Sequence, residues 1–531
     1  MNRDDALARL RDGVPPDLLV IGGGIAGAGV ALEAARAGVR VALVEARDFA
    51  SGTSSRSSKM VHGGLRYLAQ GHIGLTREAV RARDALIRDA AGLVQPLRFV
   101  LPVRDGDARG RRTLGIGLAL YDALAGRRTR QWHDAPALLA LAPVLDAGGL
   151  RGGWSYLDAR VDDARLVLRV LAEAHALGAT VVNHVRVEAL ARGAAGVNGA
   201  HLRDTLDGTS FTLPARCVIN ATGAWADALR GSIGRAPVLR PLRGSHLLLP
   251  GWRLPLGQAV TLLHPRDGRP VFALPWEGAT LVGTTDLDHR DDLGREPGIS
   301  RDEVDYLLEA LQQAFPSLEL VDADVRSTWA GVRPVVSSGR AVAPSKETRE
   351  HVVIDEDGLI TVTGGKLTTF RAMALQALRR AARHVPELAV PRPRAAMLEC
   401  TPASASAALG HVPARLRERW IGRFGARAEQ VLETARDGEL ETIAGTDTSW
   451  AEVRWACRNE AVAHLDDLLL RRTRLGLLLA DGAAAMLAQL RPIAQTELGW
   501  SDAHWSGECS RYRALIACCH GVPPRGPATS P

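Results

Sequence analysis

Three things are scarce in this chain of 531 residues: aromatic side chains, cysteine and long apolar runs. Aromatics account for 4% against 46% hydrophobic residues overall, so the ample core material is largely aliphatic. The six cysteines are mostly far apart, which excludes a disulfide framework. Cys509, Cys518, Cys519 and His520 gather near the end, but adjacent ligands chelate poorly and the spacing is not that of a zinc site. Reduced thiols and no metal are therefore expected. No apolar stretch reaches the roughly 18 to 20 residues needed to span a bilayer; "LGIGLALYDALAG" is too short and carries Asp122. Any membrane contact must be peripheral. The opening "MNRDDALARLRDGVPPDLLV" mixes acids with bases and has no secretory pattern, so the chain is expected to begin in the cytoplasm. A strong excess of one charge sign is also missing: 66 basic and 59 acidic residues leave +7. That permits attraction to anionic lipid, nucleic acid or anionic metabolites and selects none of them.

What is present begins with size. A chain of this length exceeds what one core usually supports, so two or more domains are expected. "DLLVIGGGIAGAGVALEAARAGVRVALVEA" reads as buried strand, glycine turn, Ala-rich helix, a stop at Gly38 and a second buried strand: a βαβ unit. Helical spacing recurs at about 75–95 and 163–177, and strands follow at "ATVVNHVRVEAL" and "ARCVINATG". From 235 to 300 apolar and polar positions alternate between Pro and Gly, the pattern of an antiparallel sheet. The Pro-rich stretch 386–397 reads as a linker, and 398–520 as a helical domain.

Gly22, Gly24 and Gly27 form G-x-G-x-x-G directly after a strand and at the start of a helix, and Glu45 ends the next strand. Gly22 permits the tight turn, Gly24 lets a pyrophosphate approach the helix N-terminus, Gly27 permits close helix–strand packing, and Glu45 accepts from ribose hydroxyls. NAD and FAD share this fingerprint. Two further small-residue turns, "INATGAWAD" with Ala221 and Gly223, and "VTGGKLTT" with Gly364, Gly365, Leu367 and Thr368, favour an extended resident cofactor, FAD. "TSSRSSK" adds Thr53, Ser54, Ser58 and Lys59 as candidate donors along it.

In order along the chain, "IGGGIAGAGVALEAA", "TSSRSSKMVHGGLRYL", "VDDARLVL", "INATGAWAD", "LRGSHLLLP", "LVGTTD", "GVRPVV" and "GGKLTTFR" resemble the FAD-dependent glycerol-3-phosphate dehydrogenases of aerobic respiration, with an echo in "HLDDLLLRRTRLGLLL". The resemblance implies an α/β fold: a Rossmann-like FAD-binding domain of the glutathione-reductase/D-amino-acid-oxidase type, an antiparallel-sheet substrate domain and a C-terminal helical domain. The flavin region would span 15–385, with FAD-binding parts near 15–75, 155–235 and 330–385 and cap parts near 76–154 and 236–329. Two departures stand out: Ala26 where Asn is frequent, and Phe370 where Tyr is common.

By the same resemblance His62, Arg66 and Tyr67 join Arg333 and Lys366 in holding the substrate's phosphate, a small dianion suited to arginine forks. His246, Arg333 and Lys366 would serve the chemistry at C2, with His246 near the reacting carbon. The implied reaction converts sn-glycerol 3-phosphate to dihydroxyacetone phosphate, with electrons passing from FAD to membrane quinone. The implied partners are that substrate, the quinone and an anionic membrane surface on the cytoplasmic face, with no nucleic acid; a homodimer is compatible with it. The basic stretches "RRTRLGLLL" and "GRRTRQW" are candidates for meeting headgroups. Two alternatives stay open: an oxidase that reduces oxygen to hydrogen peroxide, and a non-catalytic flavoprotein scaffold.

Overall fold

The structure is a computed structural model. It describes residues 1–525 apart from 70, 108–109, 195, 340–343, 345–346, 348–349, 393–395 and 400–406; the side chains of Arg66 and Ala69 also lie outside the described set.

The first strand, Leu18–Ile21, is an uninterrupted apolar run because it is covered on both faces. It pairs in parallel with Val41–Val44 on one side and Cys217–Asn220 on the other. Thr180–Val182 extends the sheet beyond Val41–Val44, and Leu359–Gly364 extends it beyond Cys217–Asn220. His351–Glu356 closes that edge as an antiparallel hairpin strand. Segments more than 300 residues apart thus build one six-stranded sheet. The helices Ile25–Arg36, Asp163–Ala176 and Phe370–Ala381 pack together over it in a shared aliphatic core. A small antiparallel sheet of Val185–Gly193, Gly196–Asp204 and Ser210–Pro214 stands beside it.

The second large sheet is centred on the long strands Val94–Arg104, Leu150–Val161 and Leu239–Pro250. Its pairings are antiparallel except for Ala259–Leu263 against Val94–Arg104. Ser327–Val336 pairs with Leu239–Pro250 along its length and carries the chain back toward the first sheet.

The C-terminal helices do not hang beyond a flexible tether. Leu468, Leu475 and Tyr512 share one hydrophobic cluster with Phe99, Tyr156, Trp276 and Trp329 of the second sheet. Leu388, Met397 and Leu398, in and beside the stretch read as a linker, are buried in the core of the first. The residue preferred as Tyr elsewhere, Phe370, is also core: it lies against Gly29, where an added Cβ would come within 2.7 Å of its ring. Among the described residues no helix is long and apolar enough to cross a membrane.

Candidate active site

A cavity of about 1150 Å³ runs between the two sheets, above the usual range of roughly 300–1,000 Å³ for a ligand pocket. All three glycine turns open onto it: Gly22 and Gly24 of the first, Ala221 and Gly223 of the second, and Gly364 and Gly365 with Leu367 and Thr368 of the third.

At the first turn Gly22 has φ +113°, a conformation that L side chains rarely adopt. Gly24 caps the helix Ile25–Arg36 and faces the cavity. Gly27 stands back from the lining; a Cβ there would sit 1.9 Å from the Gly22 carbonyl oxygen, so its role is the close packing read from the sequence. Glu45 lines the cavity and is anchored by accepting from the Gly23 N–H at 2.7 Å and the Arg47 N–H at 2.9 Å. Burial pushes its carboxyl upward, and those two N–H groups oppose the shift. Each carboxylate oxygen keeps a second lone pair for a ribose hydroxyl. A helix N-terminus for the pyrophosphate, an acidic acceptor for the ribose and a long cavity beyond them together fit FAD.

Thr53, Ser54 and Ser58 all line the cavity. Two of their hydroxyls also serve the scaffold: Thr53 donates to the Val332 carbonyl at 2.5 Å, and Ser54 accepts from the Ile25 N–H at 3.0 Å. Lys59 does not join them. It is fully buried, donates to Asp163 at 2.8 Å and to the Ser55 carbonyl at 2.5 Å, and sits over the Trp329 ring. Burial pulls its ammonium down to about 8 against the pull of Asp163. Its charge is spent inside the protein, which corrects the expectation that it contacts cofactor.

The cavity lining is also rich in cations and hydrogen-bonding groups. His62, Tyr67, Arg269, Arg333 and Lys366 line it. Lys366 Nζ lies 3.7 Å from the centroid of the Tyr67 ring, a cation–π contact. Arg333 donates through Nη1 to Asp286 at 3.0 Å and through Nη2 to the Thr284 hydroxyl at 3.1 Å. Arg66 lies in the helix Leu65–Ala69, but its side chain is outside the described residues.

His246 is set one layer back. It is 1% exposed, stacks on Trp329, and reaches the cavity only through Ser58, whose hydroxyl lies 2.8 Å from Nε2. Burial, with Arg333 and Lys59 nearby, holds its imidazole well below the ordinary range, so it is neutral. Direct contact with a reacting carbon, expected from the motif, is not what this position offers.

Sequence reasoning missed Asp158. This buried carboxylate forms part of the cavity wall and accepts from the Gly63 N–H at 3.0 Å, the Tyr121 hydroxyl at 2.7 Å and Arg83 Nη1 at 2.7 Å. Tyr121 in turn packs where a Gly63 Cβ would be, 2.2 Å from its oxygen. The trio fixes the Gly63–Gly64 turn that carries His62 and Tyr67. The only available signal was polar Asp158 in an otherwise strand-like run.

The fold and this lining define a flavin-dependent oxidoreductase. The FAD dependent oxidoreductase family matches residues 17–383, and the C-terminal domain of alpha-glycerophosphate oxidase matches 370–505. The aerobic glycerol-3-phosphate dehydrogenase of Staphylococcus saprophyticus is 35% identical over 482 residues, covering 86% of each chain. That of Staphylococcus aureus is 40% identical over 365 residues, covering 67% of this chain and 65% of its own. A solved glycerol-3-phosphate dehydrogenase from Bacillus halodurans, complexed with FAD, superposes with a TM-score of 0.78 at 29% identity, covering 99% of this chain and 98% of its own. The chain belongs to the FAD-dependent oxidoreductases and, among them, to the aerobic glycerol-3-phosphate dehydrogenase family, with FAD as its cofactor.

Proposed function

We propose that this protein oxidises sn-glycerol 3-phosphate at C2 to dihydroxyacetone phosphate. The observation that carries the reading is the convergence of Arg269, Arg333, Lys366, Tyr67 and His62 on the same cavity that the dinucleotide-binding glycines and Glu45 line. Cations cost much to desolvate unless an anion answers them, and a phosphate dianion needs several fixed donors. Asp286 holds the Arg333 guanidinium in place at 3.0 Å and also lies 3.6 Å from Arg269, so one carboxylate orients two of these cations.

When bound, FAD supplies the acceptor for the C2 hydride. The chain's own groups do the rest. Arg333 and Lys366 grip the substrate and offset negative charge as the hydroxyl proton leaves. Tyr67 and His62 shape the turn beside them. Ser58 takes that proton on its oxygen as it gives its own to Nε2 of neutral His246, so His246 accepts at one remove and carries the proton until turnover is complete.

Electrons then pass to membrane quinone from a peripheral position on the inner face of the cytoplasmic membrane. The helix Arg111–Ala125 supports this: Ile116 is 71% exposed, Leu120 is exposed beside it, and Arg111, Arg112, Arg127 and Arg128 surround them at the surface. The other basic stretch does not contribute, since Arg471, Arg472 and Arg474 are buried. The C-terminal match to a glycerophosphate oxidase keeps a second reading in play, in which oxygen takes the electrons.

Anaerobic addition of glycerol 3-phosphate to the purified yellow protein tests the substrate. Bleaching by this compound and not by glycerol or lactate is expected, and bleaching by either of those instead rejects the assignment. Peroxide yield measured against reduction of a quinone analogue then separates dehydrogenase from oxidase.

A further inference from the structure

The segment "HLDDLLLRRTRLGLLL" (464–479) does something other than face solvent or lipid. Side-chain exposure is 5% for Arg471, 0% for Arg472 and 1% for Arg474, and guanidiniums buried to that degree require carboxylate partners. Those partners all come from the flavin half of the molecule or from the segment itself.

Arg472 forks onto Asp48, with Nη1 at 2.5 Å and Nη2 at 2.7 Å. Arg471 also donates to Asp48 and to Asp466 and Asp467 at 2.6 Å each. Arg474 Nε donates to Asp162 at 2.9 Å and its Nη2 to Asp163. Burial alone would raise the Asp162 carboxyl, but Arg474 and Arg423 hold it well below the carboxylate range. Asp48, His184 and Asp467 lie close enough together to suggest a cation site, yet Arg471 and Arg472 already answer the carboxylates.

The two aspartates at the far side of this network bracket one loop. Asp48 stands just after Glu45. Asp163 accepts from the Ser57 N–H at 3.0 Å, the Ser57 hydroxyl at 2.7 Å and Lys59 Nζ at 2.8 Å, and Lys59 in turn donates to the Ser55 carbonyl. Between these anchors, residues 51–54 and 56–58 line the cavity. Both ends of a cofactor-lining loop are therefore gripped by arginines from more than 300 residues further along the chain.

We propose that the C-terminal helical region is a clamp on the flavin: Arg474, acting through Asp163 on Ser57 and Lys59, and Arg472, acting through Asp48, are positioning residues that hold the loop 45–59 closed over FAD. The proposal rests on the cavity being the FAD site. It gives this region a role in cofactor retention, separate from substrate recognition.

The test uses the full-length holoenzyme and reads the rate of FAD release by the rise in flavin fluorescence after dilution. Arg474→Met should release FAD about 10-fold faster than the unaltered protein, the scale expected for a residue in a coupling network. The KM for glycerol 3-phosphate in the flavin-loaded fraction should stay within about 2-fold, since no substrate contact is touched. Arg474→Lys, which keeps one charge, should fall between the two. If Arg474→Met does not accumulate as folded protein, Arg474→Lys and Ser57→Ala carry the same measurement. Because both residues act through Asp163, the Ser57→Ala and Arg474→Lys effects should combine to less than their product. Release at the unaltered rate in the arginine variants, or a fully multiplicative double variant, overturns the clamp. An unaltered protein that takes up no FAD would instead overturn the cavity reading on which it rests.

Discussion

Arg333 serves two partners at once, and its substitution separates them. Its guanidinium faces the cavity and also holds buried Asp286 and the half-buried Thr284 hydroxyl. Arg333→Ala should lower kcat/KM for glycerol 3-phosphate about 10²–10³-fold, in the range for losing a fixed charge-stabilising donor. FAD content, read from the absorbance ratio of flavin to protein, should not change; equal loss of both would contradict the assignment. Asp158 makes a complementary case. Asp158→Asn keeps the shape but leaves buried Arg83 without one carboxylate, which costs about 3 kcal/mol in a melt. With the Gly63 turn loosened, KM should rise about 10-fold. A KM that stays put would reduce Asp158 to a purely structural role. At this scale the glycine fingerprint was legible because a positive φ at Gly22 or a close approach at Gly27 is demanded by the local backbone. Lys59 and His246 were not, since whether a polar side chain faces a cavity or the tryptophans behind it is settled by strands that arrive from residues 239–336.

Elements carry their information in periodicity, and there the sequence was a good guide. The strand–turn–helix at 18–36 and the helix near 163–177 follow directly from apolar runs, helical spacing and the Gly38 stop, and the structure adds the Asp162 cap. What periodicity does not encode is which helix face is wanted by another element. The helix Ile25–Arg36 approaches its strand so closely that Gly27→Ala should destabilise the protein by about 1–3 kcal/mol through overpacking. The loss should appear as a lower melting temperature that added FAD does not restore, because the overlap is with the Gly22 backbone rather than with ligand. Full recovery with FAD would mean that the residue touches the cofactor after all. The basic run at 471–474 illustrates the reverse error. Read as a string it is a cationic surface; in the fold Arg472 and Arg474 are enclosed by aspartates from segments that share no local pattern with them, and Arg471 reaches Asp48 as well as Asp466 and Asp467 of its own segment.

For the molecule as a whole, the stretch read as a linker and the helices beyond it belong to the same packed body as the flavin half, so pH effects in the C-terminal region should be felt in global stability. Glu508, on the last long helix, accepts from His464 at 3.0 Å, from the Leu465 N–H at 2.9 Å and from Arg511. Burial would raise its carboxyl, but His464 and Arg511 bring it from an ordinary 4.5 down to about 2. A carboxylate depressed in the folded state stabilises above its unfolded value and loses that contribution as pH falls through the folded one, here between about pH 4.5 and 2. His464 behaves oppositely. Burial lowers it, yet Glu508 and Asp467 leave it raised, so its contribution is complete below the ordinary imidazole range and is lost as pH climbs through the raised value. The pair is therefore fully formed only in the mildly acidic window between those limits. Urea midpoints followed across pH should show a steep acid limb in the unaltered protein and a shallower one in Glu508→Gln, with the variant's loss on the alkaline side shifted to lower pH as His464 forfeits its partner. Because the helix shares its core with Trp276 and Trp329, one cooperative transition should report both changes; an acid limb of unchanged slope in Glu508→Gln would mean that this contact is not coupled to the body of the fold.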